Sequence, residues 1–299
     1  MSFFKKWYIY QKERFPVVVY GLYIFCIVFA TFCFGNYYGK EYFETLVFIV
    51  DTSPYKIEWI KMIPMFIVAF LQFLMVRIAD EFKDYEEDCK YRPYRPVPRG
   101  LIKLSELKVL FILCAIIQVV LTLIFNKDGI ILLLLLWTYL AFMSKDFFLG
   151  KVIDKHILFG VLLDELLMPI LVLYLSSYIY IDYSSIWLLL VTSYIISWIV
   201  EIARKIRCKE DEEKGVKTYT AVFGIRKAIF ILTILEALLM ICKFIILARA
   251  NFVIVEFIIF SIINLLFVIK KTKTMAKLTE LSANIYIMLA YLSMGLLIL

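Results

Sequence analysis

Histidine is almost absent from this 299-residue chain, which contains one, His156, and the six cysteines form no C-x-x-C pair. A structural zinc site needs four closely spaced His or Cys ligands, so that class is excluded. Ten glycines and seven prolines are too few for a collagen-like, linker or low-complexity chain. The chain is also too rich in apolar residues to be intrinsically disordered.

Hydrophobic residues, by contrast, make up 63% of the chain, and aromatic residues 17%. A soluble domain of this length cannot bury that much apolar surface, so the sequence predicts a membrane protein. A membrane-spanning helix needs about 20 apolar residues. Breaks at charged or turn-forming clusters give nine runs and predict one all-α, polytopic helical bundle over residues 1–299. The runs are 16–36, 57–79, 105–125, 129–145, 156–178, 185–204, 226–248, 252–270 and 277–299.

The net charge of +7 lies mainly in the loops between these runs, which indicates membrane topology rather than nucleic-acid binding. Lys and Arg collect on one side, in the N-terminal tail and the loops after the second, fourth, sixth and eighth runs. The positive-inside rule predicts that this side is cytoplasmic. We therefore expect a multi-pass protein of the cell membrane, surrounded by lipid, with no cleaved signal peptide.

Two of these loops, at about 78–104 and 201–225, also carry many carboxylates, which topology alone does not require. The first station, residues 77–100, continues the second run with helical character up to Pro93. Its carboxylates recur at helical spacing on one face, where like charges repel and a cation would relieve the repulsion. Carboxylates suit Mg²⁺, and the arginines that follow suit phosphate oxygens. The predicted metal ligands are Asp80, Glu81, Asp84 and Asp88, and the predicted diphosphate ligands are Arg92, Arg95 and Arg99.

The second station, residues 201–218, repeats this design after the sixth run. It supplies Glu201, Asp211 and Glu212 as further metal candidates. Each station closes on a glycine, Gly100 or Gly215, which suggests a weak internal repeat. The alternative for each station is a solvated charged loop without a ligand.

The first station resembles the UbiA superfamily of intramembrane prenyltransferases, whose first motif reads N-D-x-x-D-x-x-x-D before an R-P-x-P-x-G-like stretch. In this chain Asp80 stands in the Asn position and Glu81 in that of the first Asp. Asp84 and Asp88 match, and residues 95–100 read RPVPRG. The resemblance covers the whole nine-run layout.

The second acidic motif of the family corresponds only loosely to this chain, because Arg204 and Lys205 occupy stretches where many members carry acids. The resemblance therefore implies that these cations contact the diphosphate directly. The family's Tyr-to-Lys element is similar to Tyr139 with Lys145, which would add another diphosphate-binding cation.

The resemblance implies a helical bundle around a central cavity and a Mg²⁺-dependent reaction on a prenyl diphosphate. Mg²⁺ and the cations would stabilise the leaving diphosphate as the allylic bond ionises, with Asp84, Asp88 and Lys145 as catalytic groups. The acceptor would be an aromatic compound or a lipid. Asp164 and Glu165 lie inside the fifth run, and they would bind the acceptor, remove the final proton, or pair structurally beside a kink at Pro169.

Two other functions fit the same sequence. An intramembrane terpene synthase would ionise the same substrate and quench the cation internally. A non-catalytic transporter or lipid-binding scaffold also has paired charged stations, although transporters place their ion site near the membrane midplane.

Overall fold

The computed structural model describes residues 2–47, 57–179, 186–213, 215–247 and 251–298. In these ranges the chain forms α-helices joined by short connections, with no strand, and 83% of it is helical. Short 3-10 turns lie at Trp59–Lys61, Lys127–Gly129, Asp146–Phe148 and Lys209–Asp211. The helices are α1 (Phe3–Arg14), α2 (Val17–Val47), α3 (Met62–Lys83), α4 (Tyr85–Tyr91), α5 (Leu104–Phe125), α6 (Ile130–Met143), α7 (Gly150–Lys155), α8 (Ile157–Asp164), α9 (Leu167–Ser176), α10 (Trp187–Arg204), α11 (Tyr219–Phe223), α12 (Ile225–Ile246), α13 (Phe252–Lys270) and α14 (Lys273–Ile298).

Within the described ranges, seven segments are long and apolar enough to cross a membrane, which confirms the prediction of an all-α, multi-pass membrane protein. The count of nine was approximate: α6 has 14 residues and rises only about 21 Å, less than the ~30 Å hydrocarbon core. α14 begins with lysines and threonines before its apolar part. Residues 185, 248 and 299, which limit three predicted runs, lie outside the described residues. The seven segments are Val17–Tyr37, Trp59–Lys83, Leu104–Phe125, Ile157–Ser176, Trp187–Arg204, Ile225–Ile246 and Phe252–Lys270.

The fifth apolar run is broken into α8 and α9 directly after Asp164 and Glu165. Pro169 causes this break, because proline has no N–H to donate to the carbonyl of Glu165 four residues earlier. That carbonyl accepts instead from the Met168 N–H at 3.2 Å and from the Ser197 hydroxyl of α10 at 3.3 Å. The kink therefore presents two acidic side chains beside α10.

The bundle core is one continuous cluster of buried apolar side chains, in which α2 packs against α14 and α3 against α5. α10 packs against both α9 and α12. Buried amides tie neighbouring helices together, as where Gln118 of α5 donates to the Val68 carbonyl of α3 at 2.9 Å. These contacts hold α3 and α10, which carry the two stations, in fixed positions.

α1 lies against the end of the bundle that holds both stations, which we call the motif face. Tyr10 is buried there, in a small cluster with Ile78 of α3 and Leu107 of α5. α1 ends at Arg14, because Pro16 disfavours helical geometry at Phe15. The last residue of α1 is thereby placed beside the first station.

Candidate active site

The first station keeps its helical spacing across the junction of α3 and α4. The backbone N–H of Asp84 donates to the Asp80 carbonyl at 2.9 Å, and that of Asp88 donates to the Asp84 carbonyl at 2.8 Å. The helix ends at Tyr91, before Pro93, as predicted. Gly100 then closes the loop with a φ of +76°, a conformation that favours glycine.

Two of the four predicted metal ligands in the first station are held by arginines. Glu81 is 2% exposed and accepts from Arg14 Nε at 2.5 Å and from Arg77 Nη2 at 3.0 Å. Asp88 is also 2% exposed, and both of its oxygens accept from Arg95 Nη1, at 2.6 and 2.8 Å. Buried carboxylates need such partners, so these pairs neutralise the two charges within the protein.

The other two carboxylates of this station, Asp80 and Asp84, have few partners among the described residues. The only ion pair of Asp80 in the described residues is a long one, 3.7 Å from Arg77 Nη1. Asp84 makes no side-chain hydrogen bond or ion pair with any described residue. Burial, together with the nearby Asp88 carboxylate, raises the pKa of Asp84 above its ordinary value. One helical turn therefore carries two carboxylates with oxygens available to a ligand.

The second station has partners for each of its predicted metal ligands. Glu201 accepts from the Tyr219 hydroxyl at 3.1 Å and from Lys205 Nζ at 2.5 Å, and it also pairs with Arg204. Asp211 pairs with Lys273 at 2.5 Å. Burial, together with the Glu201 carboxylate, raises the pKa of Tyr219, so its hydroxyl remains a donor. Glu212 accepts from the hydroxyls of Thr218 and Thr220, at 2.6 and 2.8 Å.

The two stations contact each other directly at the motif face. Glu213 accepts from Arg92 Nε at 3.4 Å and from the Tyr94 hydroxyl at 3.0 Å. The Tyr91 ring packs on Gly215, whose φ is +85°, so closely that a Cβ there would overlap the ring. The sequence does not predict the pairing of Glu213 with Tyr94, because it joins residues 119 positions apart and leaves no local signal.

The acidic pair of the fifth run reaches the same region. Asp164 interacts electrostatically with Lys83 and Asp80 of α3 and with Glu201 of α10. Its Oδ1 atom is buried and has no hydrogen-bond partner among the described residues. Glu165 interacts with Glu201 and with Arg204. The structure thus brings together three charged segments that are far apart in the sequence.

Two predicted diphosphate ligands have other surroundings. Arg99 pairs with Glu13 of α1 at 2.9 Å and donates to the Tyr94 carbonyl at 2.7 Å. Lys145 is exposed and lines a groove with Lys83. Tyr139, the other residue of the Tyr-to-Lys element, donates its hydroxyl to the Leu163 carbonyl at 2.7 Å. Arg92 and Arg95 remain at the first station, on Asp88.

The described residues contain no group of three or more His, Cys, Asp or Glu side chains close enough to enclose a metal ion. Mg²⁺ does not need such a cage, because it commonly uses one or two carboxylates together with substrate phosphates and water. Asp80 and Asp84 provide such a pair beside an arginine-bearing loop. The donor set therefore fits Mg²⁺ that binds together with a diphosphate.

A multi-pass bundle with carboxylates and cations gathered at one end has the architecture of an intramembrane enzyme acting on a charged, lipid-borne substrate. The chain belongs to the UbiA prenyltransferase family, whose model matches residues 42–293. It is a membrane-embedded prenyltransferase, and the resemblance seen in the sequence is confirmed.

Two curated relatives are each named digeranylgeranylglyceryl phosphate synthase. The protein from Sulfurisphaera tokodaii is 30% identical over 199 residues, which cover 66% of this chain and 69% of that protein. The protein from Methanocaldococcus jannaschii is 26% identical over 197 residues, which cover 62% of this chain and 64% of that protein.

Two solved structures share the fold. One, from work on digeranylgeranylglyceryl phosphate synthase in membranes, has a TM-score of 0.57 and 20% identity, and it covers 97% of this chain and 99% of its own. The other is an apo UbiA homologue from Aeropyrum pernix K1, with a TM-score of 0.61 and 13% identity, covering 88% of this chain and 94% of its own.

Proposed function

We propose that this prenyltransferase is Mg²⁺-dependent and moves an isoprenyl group from a prenyl diphosphate to a glyceryl phosphate lipid. The observation that carries the proposal is the pair of available carboxylates, Asp80 and Asp84, beside the arginine loop of the first station. The names of the two relatives support this class of acceptor. Glu81 and Asp88, which arginines already neutralise, hold the station in shape.

The cations around the pair fit the substrate's diphosphate. Arg92 and Arg95 each use only part of their guanidinium on Asp88, so further N–H groups remain for phosphate oxygens. Arg204 and Lys205 of the second station flank Glu201 nearby. Bound Mg²⁺ would neutralise negative charge on the diphosphate as it departs.

In the reaction, the bond between the allylic carbon and the diphosphate oxygen breaks, and its electron pair leaves with the diphosphate. The acceptor hydroxyl oxygen then bonds to that carbon and gives up its proton. Asp164 is the proposed proton acceptor, because its Oδ1 atom is buried and no described residue forms a hydrogen bond with it. Glu165, directly after it, would position the acceptor.

In the proposed orientation, the protein lies in the cell membrane and its motif face is on the cytoplasmic side. Lys5, Lys6 and Lys12 of α1 support this, as do the cations of both stations, because positive residues are retained on the cytoplasmic side.

The test is diphosphate release by the purified protein in nanodiscs, offered prenyl diphosphates of several lengths with Mg²⁺ or EDTA. Each is assayed with and without a singly prenylated glyceryl phosphate. We expect release that needs both Mg²⁺ and the acceptor. Release without acceptor, accompanied by a hydrocarbon product, would instead make the protein a terpene synthase. Full release in EDTA would contradict the role of Mg²⁺.

A further inference from the structure

A second cationic site lies between α3, α5 and the segment after α6, and none of the arginines of the first station lines it. It is a groove with a volume of about 370 Å³, which falls within the ~300–1,000 Å³ typical of small-ligand sites. Three lysines from three different segments line it: Lys83 at the end of α3, Lys108 in α5, and Lys145 after α6. The rest of the lining is Ala79, Phe82, Phe111 and Ser144.

The lysines of this groove carry more positive charge than the described residues around them neutralise. Lys83 pairs with Asp146 at 2.6 Å and donates to the Met143 carbonyl at 3.3 Å. Lys108 and Lys145 make no ion pair or side-chain hydrogen bond with any described residue. Lys83 also interacts electrostatically with Asp164 and Asp80, so its charge is compensated within the protein. The two unpaired lysines, Lys108 and Lys145, therefore favour an anion in the groove.

The position of the groove indicates what kind of anion it holds. Lys83 ends the membrane segment Trp59–Lys83, and Lys108 lies in the second turn of the segment Leu104–Phe125. The groove is therefore at the membrane boundary, where lipid phosphates lie. Below Lys108, the exposed side chains Val109 and Ile112 continue the apolar surface of α5 toward the hydrocarbon.

We infer that this groove binds the phosphate headgroup of a membrane lipid. Lys108 and Lys145 hold the phosphate oxygens, and Lys83, fixed by its ion pair with Asp146, completes the wall of the groove. Phe82 and Phe111 pack against the first carbons of the tails, which then follow α5 into the hydrocarbon. The alternative is that each lysine only extends its ammonium group toward the membrane surface. That role would not require three lysines and two aromatic rings around one groove.

The experiment measures lipid binding by native mass spectrometry of the full-length protein in detergent. Dioleoyl phosphatidic acid is the probe, and dioleoylglycerol, which has the same tails without a phosphate, is the comparison lipid. A lysine near a membrane surface strengthens the binding of an anionic lipid about fivefold. We therefore expect the double variant Lys108→Gln/Lys145→Gln to bind phosphatidic acid ~30-fold more weakly. Lys108→Arg should restore most of the binding lost by Lys108→Gln. The matched control is Lys12→Gln, an exposed lysine of α1 at the same face, which should bind as the wild type does.

Equal phosphatidic acid binding by the wild type and the double variant would overturn the inference. Equal binding of dioleoylglycerol would also overturn it, because the site would then be merely apolar. Displacement of the lipid by an equal concentration of inorganic phosphate would show a free-anion site instead. The measurement needs no turnover, so its outcome is independent of the proposed reaction.

Discussion

The two stations have similar composition but use their carboxylates differently. In the first, Asp80 and Asp84 have oxygens available, whereas in the second, Glu201, Asp211 and Glu212 all have partners within the protein. An available carboxylate can bind a cation, whereas one whose oxygens already have partners in the protein mainly holds the backbone in place. This difference supports the proposal that the first station binds Mg²⁺ and that the second supports it and adds cations.

The contacts between the stations fit this division. The second station's Glu213 orients Arg92 and Tyr94 of the first, and Gly215 allows the Tyr91 ring to pack closely. Availability for a ligand is therefore a tertiary property: it depends on which arginines and hydroxyls arrive from elsewhere in the chain.

The largest effect should come from removing an available carboxylate. We expect Asp84→Asn, and separately Asp80→Asn, to lower kcat by more than ~100-fold, because each change removes a ligand for the cation that stabilises the departing charge. Diphosphate release in nanodiscs measures this, and an unchanged thermal melting profile or a higher Tm shows that the variant folds. Wild-type rates in both variants would eliminate the first station as the metal site.

The next largest effect concerns a paired carboxylate. Arg14→Gln removes the guanidinium from Glu81 and should cost about 1–3 kcal/mol of stability, because a buried charge loses a hydrogen-bonding partner. Thermal unfolding in detergent measures the loss. Arg14→Lys keeps the charge without the planar fork and should lose less. A melting temperature that is unchanged in Arg14→Gln would show that Arg77 alone satisfies Glu81.

The contact between the stations can be tested with two glycines. Both Gly215 and Gly100 have a positive φ, so alanine at either costs about 1–2 kcal/mol. Only at Gly215 would the added Cβ meet another residue, the Tyr91 ring. Gly215→Ala should therefore lower the Tm more than Gly100→Ala. Equal losses would mean that the ring moves aside and that the contact adds little stability.

The smallest effect is a gain in stability at neutral pH. The pKa of Asp84 is raised by burial above its ordinary value of 3.8, so the folded protein binds this proton more tightly than the unfolded chain. Protonation of Asp84 therefore contributes to the free energy of unfolding. This contribution is complete below the pKa that Asp84 has in the unfolded chain, and it is lost as the pH rises through the pKa in the folded protein. Asp84→Asn should thus raise the Tm at about pH 7 and raise it less at about pH 4. A lower Tm at neutral pH would contradict the assigned shift.

Much of the fold follows from the sequence, because apolar runs of about 20 residues have few alternatives in a membrane. The shared face of Asp80, Asp84 and Asp88 also follows, since spacing of four residues places side chains on one side of a helix. The shortness of α6 did not follow, because a hydrophobic run does not show where a helix ends.

Which carboxylates are paired within the protein and which are available to a ligand could not be predicted from their spacing in the sequence. Arg14 comes from α1, 67 residues before Glu81, and Arg95 folds back onto Asp88 only because the loop between Pro93 and Gly100 turns. The position of Lys145 in the lysine-lined groove likewise depends on how α3, α5 and α6 pack. Such contacts join distant or turned segments and leave no periodic signal.

The most direct test of the account is a Mg²⁺ titration of diphosphate release for the wild type, Asp84→Asn and Asp211→Asn. We predict that Asp211→Asn saturates at the wild-type Mg²⁺ concentration with less than a ~10-fold loss of rate, because Asp211 pairs with Lys273. Asp84→Asn should need far more Mg²⁺ or show no release. The opposite ranking, with Asp84→Asn like the wild type and Asp211→Asn dependent on added Mg²⁺, would contradict the account.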